Sequence, residues 1–104
     1  MSELVFRHAG KWDLVPQKEI LYLESCNKLS KVVTVHREYF LSTPLQVLAE
    51  HLPADQFIKI HRRYIVSKLH IRAIGNAYIL IADKELPISR QGRVELRDKY
   101  RMFV

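Results

Sequence analysis

The sequence predicts a mainly β domain. Short runs rich in valine, isoleucine, leucine and aromatic residues recur along the chain, with glycine, asparagine, aspartate or proline between them. Apolar residues at helical spacing appear in only two places. Those two segments do not alternate with the strands, as a βαβ protein would require. The order expected is therefore many strands, one short helix, more strands and a terminal helix.

Each element has a local reason. LVFRH (4–8) and KWDLV (11–15) flank Ala9-Gly10, a hairpin turn in which glycine supplies a positive φ. EILYLES (19–25) and KVVTVHR (31–37) flank Cys26 to Ser30, which reads as a polar loop. Thr43-Pro44-Leu45-Gln46 has the capping-box form, with Thr43 at the N-cap, Pro44 at the first helical position and Gln46 at the third. Leu45, Leu48, Ala49 and Leu52 then share one face, and Pro53 closes the helix near 43–52.

The stretch FIKIHRRYIVSKLHI (57–71) begins as a strand and sets Arg62 and Arg63 side by side before Tyr64, Ile65 and Val66. Two adjacent arginines in an apolar run are costly unless their heads reach water or an anion. HIRAI (70–74) and AYILIA (77–82) flank Gly75-Asn76; ELPIS (85–89) follows, and its Pro87 marks a strand edge or end. From about Gln91 to Met102 a second helix places Leu96, Tyr100 and Phe103 on one face and Arg90, Arg93, Arg97 and Arg101 on another. Stacked like charges destabilise an isolated helix by roughly a few tenths of a kcal/mol per pair. Solvent, acidic neighbours or a phosphate backbone can offset that repulsion.

The 104 residues, 48% apolar and 27% charged, suit one folded domain spanning 1–104 with one hydrophobic core. No apolar run approaches the roughly 20 residues of a membrane span, and Glu3 and Arg7 interrupt any signal-peptide pattern, so no membrane partner is expected. A lone Cys26 excludes an internal disulfide and fits a reducing cytoplasm. The short segment before the first strand fits both an excised domain and a stand-alone protein.

The net charge of +6 points to a polyanionic partner. No acidic residue lies between Asp55 and Asp83, an interval holding Lys59, Arg62, Arg63, Lys68 and Arg72. A second acid-free interval, from Glu24 to Glu38, holds Lys28, Lys31 and Arg37. The five histidines are scattered, so no metal or other cofactor is expected. Nothing brings a base to Cys26, and no glycine-rich phosphate cradle is present, so no enzymatic activity is expected. A phosphodiester-cleaving nuclease could use His61 as base with the neighbouring arginines on phosphate, but such enzymes usually place carboxylates for a metal, and 56–82 has none. A small RNA-binding module is the other alternative; stacking aromatics of the single-strand binders are sparse, which favours duplex DNA.

Four motifs in order resemble the LytTR-type DNA-binding domain of bacterial transcription regulators. EILYLES is similar to that family's Ile-x-Tyr-Ile-Glu segment, and TPLQVLAEHLP resembles its Leu-x-x-Leu-x-x-x-Leu-Pro helix. FIKIHRRYIVSKLHI is similar to Phe-x-x-x-His-Arg-Ser-Tyr-(apolar)-(apolar)-Asn, and AYILIADKELPISR to a closing hairpin ending Pro-(apolar)-Ser-Arg. The match spans about residues 4 to 100.

The resemblance implies about ten short strands in stacked antiparallel sheets with a short helix. It implies sequence-specific duplex DNA binding, in which loops read successive major grooves of paired direct repeats, two copies on DNA and a preceding receiver domain of a two-component response regulator. By position it places Ser30 and Lys31 near DNA and makes Arg62 and Arg90 base readers. From charge alone, and not from the resemblance, their neighbours Lys28, Arg63, Lys68, Ser89 and Arg93 are expected on phosphates, while His61 is assigned to fixing its loop by hydrogen bonds. Two residues depart from the pattern: Arg63 stands where the family usually has serine, and Ser67 where it usually has asparagine.

Overall fold

The computed structural model describes residues 3–104 and contains three antiparallel sheets. The first is a hairpin of β1 (Leu4–His8) and β2 (Lys11–Val15). The second has five strands, in the order β5 (Glu38–Leu41), β4 (Leu29–Thr34), β3 (Ile20–Cys26), β7 (Tyr64–Ser67) and β6 (Phe57–His61). The third pairs β8 (Ile71–Ile74), β9 (Tyr78–Ile81) and β10 (Lys84–Pro87). Helix α1 spans Leu45–Ala49 and helix α2 spans Arg90–Lys99.

The five-stranded sheet lies between two cores, which explains why apolar residues run consecutively through β3, β6 and β7. Successive side chains point to opposite faces, and here both faces are dry. Leu23, Val32, Phe57 and Ile65 pack on one face with Phe6, Val15, Tyr39 and Leu45, beneath the β1–β2 hairpin and α1. Tyr22, Ile58, Ile60 and Val66 pack on the other with Ile79, Ile81, Leu86 and Leu96, beneath the third sheet and α2. The single core expected from chain length is thus two, and the molecule is elongated at 49 × 27 × 25 Å.

Several expected boundaries shift. The segment 26–30 is no polar loop. β3 runs through Cys26 and β4 starts at Leu29, leaving a two-residue turn in which Asn27 has φ +56°. β5, absent from the sequence reading, completes the sheet beside β4. Thr43 does not cap α1: Pro44 occupies the N-cap without a side-chain bond, and beyond Ala49 the chain tightens into i→i−3 bonds as far as Leu52. α2 ends at Lys99, so Arg101 and Phe103 lie past it, and Phe103 is exposed.

The hairpin is tied to the core by Tyr39, whose hydroxyl donates to Asp13 Oδ2 at 2.8 Å. That bond, then one from Lys11, holds the Asp13 carboxyl below its ordinary range. A depressed carboxylate stabilises the fold above its unfolded value and ceases to do so as pH falls through the folded value. Thermal stability should therefore decline as pH is lowered below about 4, and Asp13→Asn should flatten that acid limb. A melting profile from pH 6 downwards that is identical in the variant would reject the contribution.

Helix α2 is seated on β6 by Gly92. A Cβ built there would lie 1.9 Å from the carbonyl oxygen of buried Ile60, a clash with backbone that no rotamer relieves. Gly92→Ala should destabilise the protein by at least about 1–3 kcal/mol in urea unfolding, although alanine is the better helix former. A neutral or stabilising result would show that α2 can lift away freely.

Candidate nucleic-acid interface

Arg62 and Arg63 form the two-residue turn between β6 and β7. Two-residue hairpins usually need positive φ for their twist, yet neither arginine has it. The ladder instead slips between Lys59 and His61, leaving Ile60 without a partner on β7, and such a bulge supplies extra twist. His61 then fixes the turn: its Nδ1 accepts the Arg63 N–H at 3.1 Å, and its ring meets Tyr64 edge-on at 5.8 Å. The Arg63 carbonyl accepts the Ser25 N–H at 2.9 Å, binding the turn to the end of β3.

The carbonyl freed at Ile60 holds the second arm of the site. It accepts the Ser89 N–H at 2.8 Å and the Ser89 hydroxyl at 3.2 Å. The same hydroxyl oxygen accepts the Gly92 N–H at 2.9 Å and so caps α2. Arg90 follows directly as the first residue of α2. One backbone oxygen therefore fixes Arg62, two residues after it, relative to Arg90, one residue after Ser89.

Two open depressions flank Arg62. One, of about 550 Å³, is lined by Arg62 and Lys59 with Asn27, Lys28 and Gln46. The other, of about 400 Å³, is lined by Arg62 and Lys59 with His61, Ser89 and Gln91. Lys28, Lys59, Arg62 and Arg90 are all exposed, and among the described residues their side chains have no ion-pair or hydrogen-bond partner. Lys59 was missed from the sequence, where it reads as the outward member of an alternating strand. The available signal was that it shares β6 with the arginine turn.

Other expected contacts lie elsewhere or are engaged. Ser30 is corrected: it lies within β4, only 2% exposed, and its hydroxyl donates to the Thr43 carbonyl at 2.7 Å. Extending β4 by two residues turned this side chain to the buried face. Lys31 is bound to Glu24 at 3.2 Å, and Arg63 reaches the same carboxylate at 3.4 Å while donating through Nε to the Ser25 carbonyl. Ser89 is spent on the cap. Arg93 donates to the Asn76 carbonyl, on a different flank of α2. Lys68 lies beyond the far end of β7, roughly 13 Å along the strand from the turn, with its ammonium 5.0 Å from the Tyr100 ring centroid.

This architecture has close counterparts. The model of the LytTr DNA-binding domain matches residues 10–101. The chain belongs to the LytTR family of DNA-binding domains. The fold superposes with a TM-score of 0.80 on the LytTr DNA-binding domain of a Bacillus cereus protein described as a methyl-accepting/DNA response regulator, at 27% identity over 95% of this chain and 96% of that one. The CO-responsive transcriptional regulator RcoM of Rhodospirillum rubrum is 36% identical over 61 residues, 59% of this chain. The sensory transduction protein LytT of Bacillus subtilis is 30% identical over 90 residues, 81% of this chain. The LytTR match spans only 26% and 37% of the lengths of these two relatives.

Within this LytTR domain, Ser89→Ala removes both the α2 cap and the hydroxyl bond to Ile60. A loss of about 1–2 kcal/mol is expected in denaturant unfolding. Ser89→Thr, which keeps both bonds, should recover most of it; equal losses in the two variants would count against the cap.

Proposed function

We propose that this LytTR domain is the sequence-specific duplex DNA-binding part of a bacterial transcription regulator, with Arg62 and Arg90 as its base readers. The observation that carries the proposal is their shared anchorage. Two unpaired guanidiniums project from a turn and a helix start that are tied to one buried carbonyl. Arginine forks a guanine edge through O6 and N7, and that recognition requires a fixed approach. Lys28 and Lys59, unpaired on the rims of the depressions, serve phosphates.

Arg90 adds a second argument. The first turn of α2 contains no acidic residue, although the helix dipole favours anions there. A DNA phosphate beside this helix start would satisfy both the dipole and the arginine. Two such domains side by side would read paired direct repeats. In a longer protein, a receiver domain would precede this one and control the pairing, in the cytoplasm where the DNA lies.

Arg62→Ala and Arg90→Ala should each weaken cognate binding by about 1–3 kcal/mol and relax discrimination, leaving unfolding unchanged. Lys28→Ala should weaken cognate and scrambled duplex alike and reduce the salt slope by about one. Selection from a random duplex pool supplies the cognate site and shows whether it is a repeat. Unchanged discrimination in both arginine variants would reject the assignment. Strand cleavage lost in His61→Ala would point instead to a nuclease, and displacement of DNA by structured RNA to an RNA-binding module.

A further inference from the structure

We infer that Glu24 is a built-in phosphate surrogate that keeps Lys31 and Arg63 off the DNA backbone and so sets the ratio of specific to non-specific binding. The inference rests on the DNA-binding reading above and adds a residue of opposite charge to it. Glu24 sits on β3, the middle strand, directly opposite Lys31 on β4 and Tyr64 on β7. Cross-strand neighbours on one face are held within contact distance by the ladder itself. One oxygen of the carboxylate takes Lys31 at 3.2 Å; the other takes the Tyr64 hydroxyl at 3.2 Å and the Arg63 guanidinium at 3.4 Å.

The carboxylate is sheltered, with 15% of its side chain exposed, whereas Arg63 remains half exposed. An anion preassembled with three donors in this way offers the cations what a phosphate would offer, without a search for one. Burial opposes the charge of Lys31, yet the hydrogen bond and charge of Glu24 outweigh it and raise the ammonium above its ordinary value. Burial first, then Glu24, raises the Tyr64 hydroxyl, so it stays a donor. The cations left unpaired at the interface are those that Glu24 cannot reach: Lys28, Lys59, Arg62 and Arg90.

Affinity for any duplex rises with the number of phosphates neutralised, irrespective of sequence. Two further cations on the backbone would strengthen scrambled and cognate sites together and compress the difference between them. A regulator that must leave wrong sites gains by keeping them occupied within the fold.

The test measures salt-dependent binding of Glu24→Gln to cognate and scrambled duplexes. Release of two cations should steepen the log–log slope on scrambled duplex by about two and raise that affinity about tenfold at low salt. Discrimination should fall, and adding Arg63→Ala should return about half of the change in slope. Glu85→Gln, on the exposed edge strand β10, controls for the same alteration in net charge and should leave the slope as in wild type. A Glu24→Gln slope equal to that of wild type or of Glu85→Gln overturns the inference. If Glu24→Gln does not fold, Arg63→Ala in the otherwise native chain decides: an unchanged slope supports the inference, and one shallower by about one overturns it. Wild-type protein that binds no duplex would overturn the DNA-binding reading as well; binding with no Glu24 effect would overturn this inference alone.

Discussion

The carbonyl of Ile60 is the point to which the interface is referred. β6 is one of the two edge strands of the five-stranded sheet, and an edge leaves backbone groups that must be paired or covered. The slip in the ladder leaves Ile60 unpaired, and its carbonyl is satisfied twice, by the backbone and side chain of Ser89. Each such bond is worth only about 1 kcal/mol net, but orphaning a buried carbonyl costs about 1–3. The bulge, the cap and Gly92 therefore stand together. The twist that aims Arg62 is the same distortion that anchors the segment bearing Arg90.

Much of this was legible in the sequence. The hairpins at Ala9-Gly10 and around Gly75-Asn76 were marked by local turn chemistry, and both helices by periodicity. The arginine pair was conspicuous because its neighbours are apolar. The unread parts depend on contacts between strands. Ser30 seemed to lie in a loop because Asn27 and Lys28 look polar over a wider span than the turn occupies. β3 runs one residue further and β4 starts two residues earlier than expected, which places the Ser30 side chain inside. Gly92 looked isolated because its reason is an oxygen more than thirty residues away in sequence, and no local pattern reports that distance. Thr43 offered a good cap by type, yet the chain entered α1 through Pro44 instead.

Net charge pointed to a polyanionic partner, in keeping with a DNA-binding family, without separating paired cations from unpaired ones. A sum of +6 counts every lysine and arginine equally, whereas the fold divides them. Lys11 is paired with Asp13, Lys31 and Arg63 with Glu24, Arg93 with a backbone carbonyl, and Lys68 lies over an aromatic ring. The acid-free interval between Asp55 and Asp83 offers Arg63 no carboxylate from its own segment. The neutralising carboxylate instead comes from β3, more than thirty residues earlier. Charge segregation along a chain is erased wherever strands of different segments pair.

The two adjacent arginines thus part company for a reason rooted in strand pairing. Arg63 is drawn inward because its carbonyl is bound to the Ser25 N–H, which brings its guanidinium beside Glu24 and the Ser25 carbonyl. Arg62, one residue earlier at the crest of the turn, has no strand beside it and faces the two depressions. The departure from the family pattern at Arg63 therefore adds a cation where an anion already waits. It enlarges the charge of the chain and leaves the charge presented at the turn to Arg62.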